Sequence, residues 1–205
     1  MKLMRILGTL AVASYLSFSA ARAEAACSYS VDPASVKVQW TAFKFTNKTG
    51  VSGGFSKVNI SGKHSAKTLS DLAKGLNMKI VGPSIESGDP ARNATVSEFF
   101  FQQFKADGEI LAQAVDVTGD DKSGVVKIKI DMNGASQVVP FAYTIGDKGS
   151  VEAKGTIDML DFALQPAFDT LHKACEEKHV GPDGVSKTWT TVDLKVTGNY
   201  TEKCG

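Results

Sequence analysis

From residue 35 onward most of the chain alternates apolar and polar side chains with a period of two, the pattern of strands with one buried face. Val36, Val38 and Trp40 share one side, with Lys37, Gln39 and Thr41 on the other. The phase slips at Phe43 and Phe45, which predicts a bulge or a bend. Leu76, Met78 and Ile80 alternate with Asn77 and Lys79. Val126, Ile128, Ile130 and Met132 alternate with Lys127, Lys129 and Asp131, then run straight into Asn133-Gly134. Asn-Gly between two alternating runs predicts a two-residue hairpin, because both residues tolerate positive φ. Val139, Phe141, Tyr143 and Ile145 continue beyond it. Gly146-Asp147-Lys148-Gly149 marks the next turn and Val151 to Met159 the next strand. Val192, Leu194, Val196 and Tyr200 mark the last.

Two helices are predicted to interrupt the strands. The first opens at Asp89-Pro90, an N-cap followed by proline at the first helical position, and its apolar face is Val96, Phe99 and Phe100. The second begins near Pro166 and stops before Gly181-Pro182. On it Phe168, Leu171, His172, Cys175 and His179 form one stripe, with Asp169, Lys173, Glu176 and Glu177 mostly opposite. The chain has no repeat, low-complexity tract or domain linker. Short strands with frequent turn signals predict one all-β domain with two short helices, either a barrel or a sandwich.

The first residues follow a different rule. Lys2 and Arg5 precede an apolar run from Ile6 to Ala20, followed by Ala21-Arg22-Ala23 and Ala23-Glu24-Ala25. Residues 1–23 therefore read as a secretory signal peptide, with cleavage as late as residue 25, and the product is expected in the periplasm or secreted. No later run is long enough for a membrane-spanning helix. Loss of Lys2, Arg5 and Arg22 turns the chain's net charge of +1 slightly negative, and no basic run remains. This argues against nucleic acid and against an anionic membrane as partner.

Cys27, Cys175 and Cys204 are the three cysteines. In an oxidising compartment the simplest count is one disulfide and one free thiol. If the terminal strands pair, Cys27 and Cys204 become neighbours. Cys27 as a lipidated N-terminus is the rival reading. The residue three before it is Glu24, where bacterial lipoproteins carry an apolar one.

The order of several short motifs resembles the YceI-like family. These are Tyr29-Ser30-Val31-Asp32 with the strand Ser35 to Trp40, Gly54-Phe55, Ser84-Ile85-Glu86-Ser87-Gly88-Asp89 with Arg92 and Phe99-Phe100, Met132-Asn133-Gly134 with Pro140-Phe141, and Gly155-Thr156-Ile157-Asp158 with Asp161-Phe162. The resemblance implies a single antiparallel lipocalin-like β-barrel over residues 27–204. It also implies a long apolar ligand: a polyisoprenoid, a quinone or a fatty-acyl compound. A closed barrel pairs its terminal strands, which favours a Cys27–Cys204 disulfide. The chain departs from better-known members in the second helix and in Gly181 to Trp189.

On that reading the apolar lining is Trp40, Phe55, Met78, Met132, Phe141, Tyr143, Met159 and Phe162, all in or at the ends of strands; plain core packing is the alternative for each. Arg92, with Phe99 and Phe100, is either a mouth residue that meets a polar head group or half of a surface ion pair. No nucleophile motif, metalloprotease motif, Cys-x-x-Cys or phosphate loop is present, so no catalysis is expected. Asp158 and Asp161 read as turn residues rather than an acid/base pair. No cofactor is implied beyond the apolar ligand, and the sequence allows a homodimer. A second function class, metal- or redox-linked, would use His172, Cys175 and His179. Their spacings of three and four let each adjacent pair chelate, but about 10 Å of helix rise separates the two histidines. A closed zinc site needs four ligands, and the only other histidine is His64. A third class is a structural barrel acting through its surface.

Overall fold

The computed structural model describes residues 26–205, so the expected leader lies outside the described residues. The strands are β1 (Cys27–Val31), β2 (Lys37–Lys44), β3 (Thr49–Phe55), β4 (Val58–Gly62), β5 (Ser65–Ala66) and β6 (Leu76–Val81). They continue as β7 (Ile85–Glu86), β8 (Glu109–Gly119), β9 (Ser123–Met132), β10 (Ala135–Ile145), β11 (Ser150–Asp158) and β12 (Thr188–Cys204). All pair antiparallel, ten of them in the order β4-β6-β8-β9-β10-β11-β12-β2-β3-β7, with β1 and β5 off this path. β12 is long enough to pair with β11 and β2 and then, beyond them, with β1. The sheet curls into a half-barrel rather than the fully closed ladder expected, because β4 and β7 at its two ends do not pair. Local chemistry explains the gap. Pro83 cannot donate to a ladder, and the helix opening at Pro90 leaves β7 only two residues.

The strand pattern read from the sequence is realised residue by residue. Val38 and Trp40 of β2 are buried, and β9 buries Val126, Ile130 and Met132. The Asn133-Gly134 turn has φ of 52° and 80°, the two left-handed residues of a type I′ hairpin. The slip at Phe43–Phe45 ends β2: Phe45 adopts φ 62°, and the β12 register shifts opposite it, between Thr188 and Val192.

Among the described residues three α-helices occur where two were expected. α1 (Leu69–Gly75) is the addition. Its signals were Thr68, whose hydroxyl accepts from the Asp71 amide at 3.0 Å, and the spacing of Leu69, Leu72 and Ala73. Seven residues are too few for that spacing to stand out among strands. α2 (Pro90–Phe99) starts as expected, with Asp89 accepting from the amides of Ala91 and Arg92. α3 (Gln165–Cys175) is shorter than expected, and Glu176–His179 continue as a 3-10 turn. Among the described residues no helix is long and apolar enough to cross a membrane.

The concave face of the sheet and the segments over one end form a single core, in which Phe141, Phe162 and Leu164 are the most fully buried side chains. Burial of each is worth roughly 1.5–3 kcal/mol. Among the described residues Asn133 is the one buried polar residue. Its amide donates to the carbonyls of Phe162 (3.2 Å) and Ala163 (3.0 Å), and its oxygen accepts from the Lys105 amide at 3.0 Å. A residue legible only as a turn former thus ties the β9–β10 hairpin to two capping segments. At the far end of β12, Cys204 is the register partner of Cys27, and their sulfurs are bonded at 1.99 Å. Cys175 is a free, half-buried thiol.

Candidate functional site

The core does not fill the half-barrel. A cavity of about 670 Å³ lies along its concave face, within the range of small-molecule sites. It runs beside β12 from Thr188 to Tyr200, roughly 40 Å of strand at about 3.3 Å per residue. Inward positions of every long strand line it, among them Trp40, Met78, Ile130, Phe141 and Val196. The strand period that buries one face therefore also makes the wall apolar along its length.

The two ends differ. At one end the lining is polar and exposed: Lys67 and Thr68 before α1, Gln113 on β8 beside it, Asp120 and Asp121 in the β8–β9 turn, and Asn199 on β12. Tyr29 and Tyr200 stand there edge to face, with ring centres 5.8 Å apart. Amides of Ser123 and Lys122 hold the Asp120 carboxyl below its usual range, so the carboxylate form is favoured. This end is the mouth. At the other end most of the lining is buried: Phe100, Phe101 and Phe104 after α2 and Met159 and Leu164 after β11, with half-buried Leu171 of α3 beside them. The three phenylalanines pack against one another with centres 5.1 to 5.3 Å apart and close that end.

Glycine makes room where large side chains cross the wall. A Cβ on Gly53 would fall 2.5 Å from Cζ2 of Trp40, whose indole donates to the Gly54 carbonyl at 3.1 Å. A Cβ on Gly155 would fall 2.8 Å from the Phe141 ring. Both rings lie flat on a neighbouring strand, and the cavity keeps the width they would otherwise occupy.

Of the lining residues expected from the sequence, Trp40, Phe55, Met78, Met132, Phe141, Tyr143 and Met159 lie on this cavity, as does Phe100. Phe162 does not; it is packed in the core at 1% exposure. Phe99 is half-buried and off the lining. Arg92 also lies away from the cavity, with its guanidinium 3.5 Å from the Asp89 carboxylate in a half-exposed pair. Of the two readings of Arg92, the structure shows the ion pair; it closes the cavity near α2 and opens it beside α1. The periodicity of β8 and the residues of α1 carried that information, but nothing in them marks a rim. Asp158 is a capping residue: its carboxylate accepts from the Leu160 amide (3.0 Å) and the Thr190 hydroxyl (3.0 Å).

The stripe on α3 is half-buried as read, with Asp169, Lys173, Glu176 and Glu177 exposed. The α-helix breaks at Cys175, which leaves helical dihedrals (φ −111°, ψ 4°), and His179 in the 3-10 turn beyond it reaches the same hydroxyl as His172. Both imidazoles meet one hydroxyl: Thr188 Oγ1 lies 2.8 Å from His172 Nδ1 and 2.7 Å from His179 Nδ1. His172 also stacks on Phe168. The ligand atoms of His172, Cys175 and His179 do not all lie within 4.8 Å of one another, so the three do not form a metal cluster. Burial raises the Cys175 pKa, which keeps it a thiol rather than the nucleophilic thiolate.

Residues 29–198 match the model of the YceI-like domain. Solved structures share the fold. A polyisoprenoid-binding domain from Saccharophagus degradans, implicated in plant cell wall breakdown, superposes with TM-score 0.60 at 16% identity, over 87% of this chain and 99% of that one. BcnA of Burkholderia cenocepacia gives 0.55 at 18% identity, over 83% and 99%. The YceI protein of Campylobacter jejuni gives 0.54 at 15% identity, over 80% and 91%. No curated protein matches the chain. With a half-barrel, a lined cavity and a family match across most of its length, this chain belongs to the YceI-like family.

Proposed function

We propose that this protein is an exported binding protein that holds one long apolar molecule in its half-barrel, for transport, storage or sequestration. The observation that carries the reading is the cavity: about 670 Å³, elongated, apolar along its walls, closed over by buried aromatic side chains at one end and charged only at its mouth. The Saccharophagus degradans neighbour is described as polyisoprenoid-binding, which supports a ligand of that kind here, with quinones and fatty-acyl compounds as chemical relatives. The protein performs no chemistry on its ligand. Binding is an equilibrium driven by apolar area removed from water, about 25 cal/mol per Å².

Titration of delipidated protein with saturated and isoprenoid chains of graded length tests this. Affinity is expected to climb with length and then level off when the cavity is full. Weak, length-independent binding across the series would refute it. Native mass spectrometry of protein from its own host then identifies the resident molecule by mass.

A further inference from the structure

We propose that Thr188, backed by His172 and His179, is a head-group subsite at the blind end of the cavity, and that it takes a neutral carbonyl or hydroxyl oxygen. This rests on the carrier reading and adds to it which class of head is held, and where.

Three observations point there. Thr188 is the polar lining residue away from the mouth whose side chain is not committed to the backbone. The indole N–H groups of Trp40 and Trp189 are spent on the carbonyls of Gly54 and Phe45, and the Tyr143 hydroxyl donates to the Asp120 carbonyl. Next, the Thr188 hydroxyl is held from two sides by imidazole nitrogens at 2.8 and 2.7 Å. A hydroxyl has three hydrogen-bonding positions, one donor and two acceptors. Two imidazoles use two of them, and one is left whichever tautomers they adopt. If both histidines donate, the free position is the O–H, which suits a carbonyl. If one donates and one accepts, it is a lone pair, which suits a hydroxyl.

The third observation is charge. Only Lys67, Asp120 and Asp121 are charged among the lining residues, and all three sit at the mouth. Beside Thr188 the lining is half-buried Trp189 and Leu171 with buried Leu164 and Met159; the Lys48 and Lys187 ammoniums lie over the Trp189 ring, each 5.0 Å from its centre, but do not line the cavity. An ionised head there would give up much of its hydration for one hydrogen bond, an unfavourable exchange. At the mouth it would meet two carboxylates and one ammonium. The ligand thus lies head inward, with its chain trailing toward α1.

The test compares wild type, Thr188→Val and Thr188→Ser as titrated with hexadecane, hexadecanol, the methyl ketone of the same length and hexadecanoate. One neutral hydrogen bond corresponds to a change of about 3- to 10-fold in Kd. Thr188→Val is expected to weaken hexadecanol and the ketone by that factor relative to hexadecane, and Thr188→Ser to restore them. The restored hydroxyl separates a lost hydrogen bond from a damaged fold. Equal change for all four probes, or none for the oxygenated pair, overturns the subsite. A larger loss for hexadecanoate than for the ketone overturns the neutral class. If hexadecane and the other probes all fail to bind wild type, the carrier reading falls first and this one with it.

Discussion

Replacing Cys27 and Cys204 together by serine removes a bond that closes nearly the whole domain. The two residues are 177 apart in sequence. A loop of that length gives roughly 5 kcal/mol of lost unfolded-state entropy at 25 °C, while native disulfides typically deliver about 2–4. The structure adds a local effect. β1 is paired with β12 over five residues and touches β5 over only two, so it is an edge piece tied at its outer end by the disulfide. Tyr29 and Val31 of β1 line the cavity mouth. Without the bond, β1 is expected to fray and the mouth to widen. For a domain of this size about 2–4 °C accompanies each kcal/mol, so the double variant should melt about 4–16 °C lower. Urea denaturation should give a lower midpoint. Amide exchange should accelerate first in β1 and in the last residues of β12. The assay pairs melting with non-reducing peptide mapping of the wild type. A linked Cys27–Cys204 peptide together with a melting point unchanged within about 2 °C would refute the reasoning, since the unfolded chain would then gain nothing from being cut loose.

Met132→Trp narrows the cavity and should weaken the longest chains most, leaving short ones nearly untouched in the same titration. Asn133→Ala removes three hydrogen bonds to Lys105, Phe162 and Ala163 and should cost about 2–4 kcal/mol by urea denaturation. His179 is held below its usual pKa by burial first, then by Lys44, His172 and Lys178. A depressed histidine contributes stability that is full above the unfolded value near 6.5 and is lost as pH falls below it. Between about pH 7 and pH 5 the wild type should therefore lose melting temperature more steeply than His179→Gln. Parallel curves would contradict this.

The period-two pattern determined most of the sheet on its own. It is a local property: each strand's alternation already states which side faces inward, and Asn133-Gly134 already states where the chain reverses. The same holds for the N-cap at Asp89. The resemblance to a family, itself read from short motifs, added the curled sheet and seven of the eight lining residues. Other features depended on distant pairings. Phe162 and Met159 look alike in sequence, three residues apart after one strand. Only the turn that follows β11 sends one into the core and leaves the other on the cavity. Arg92, in the first turn of α2 beside Asp89, was legible as either a rim residue or half of a surface ion pair; it pairs with Asp89, and α2 packs over the closed end. The rim falls to Lys67, Asp120 and Asp121, from two segments about fifty residues apart. His172 and His179 read as a metal pair or a buried face. Their meeting at Thr188 required a 3-10 turn after α3 and the first residue of β12 beneath it. Alternation along one strand decides which side chains face inward. Which end of the half-barrel is open depends on how strands far apart in the chain register, and no single segment encodes that.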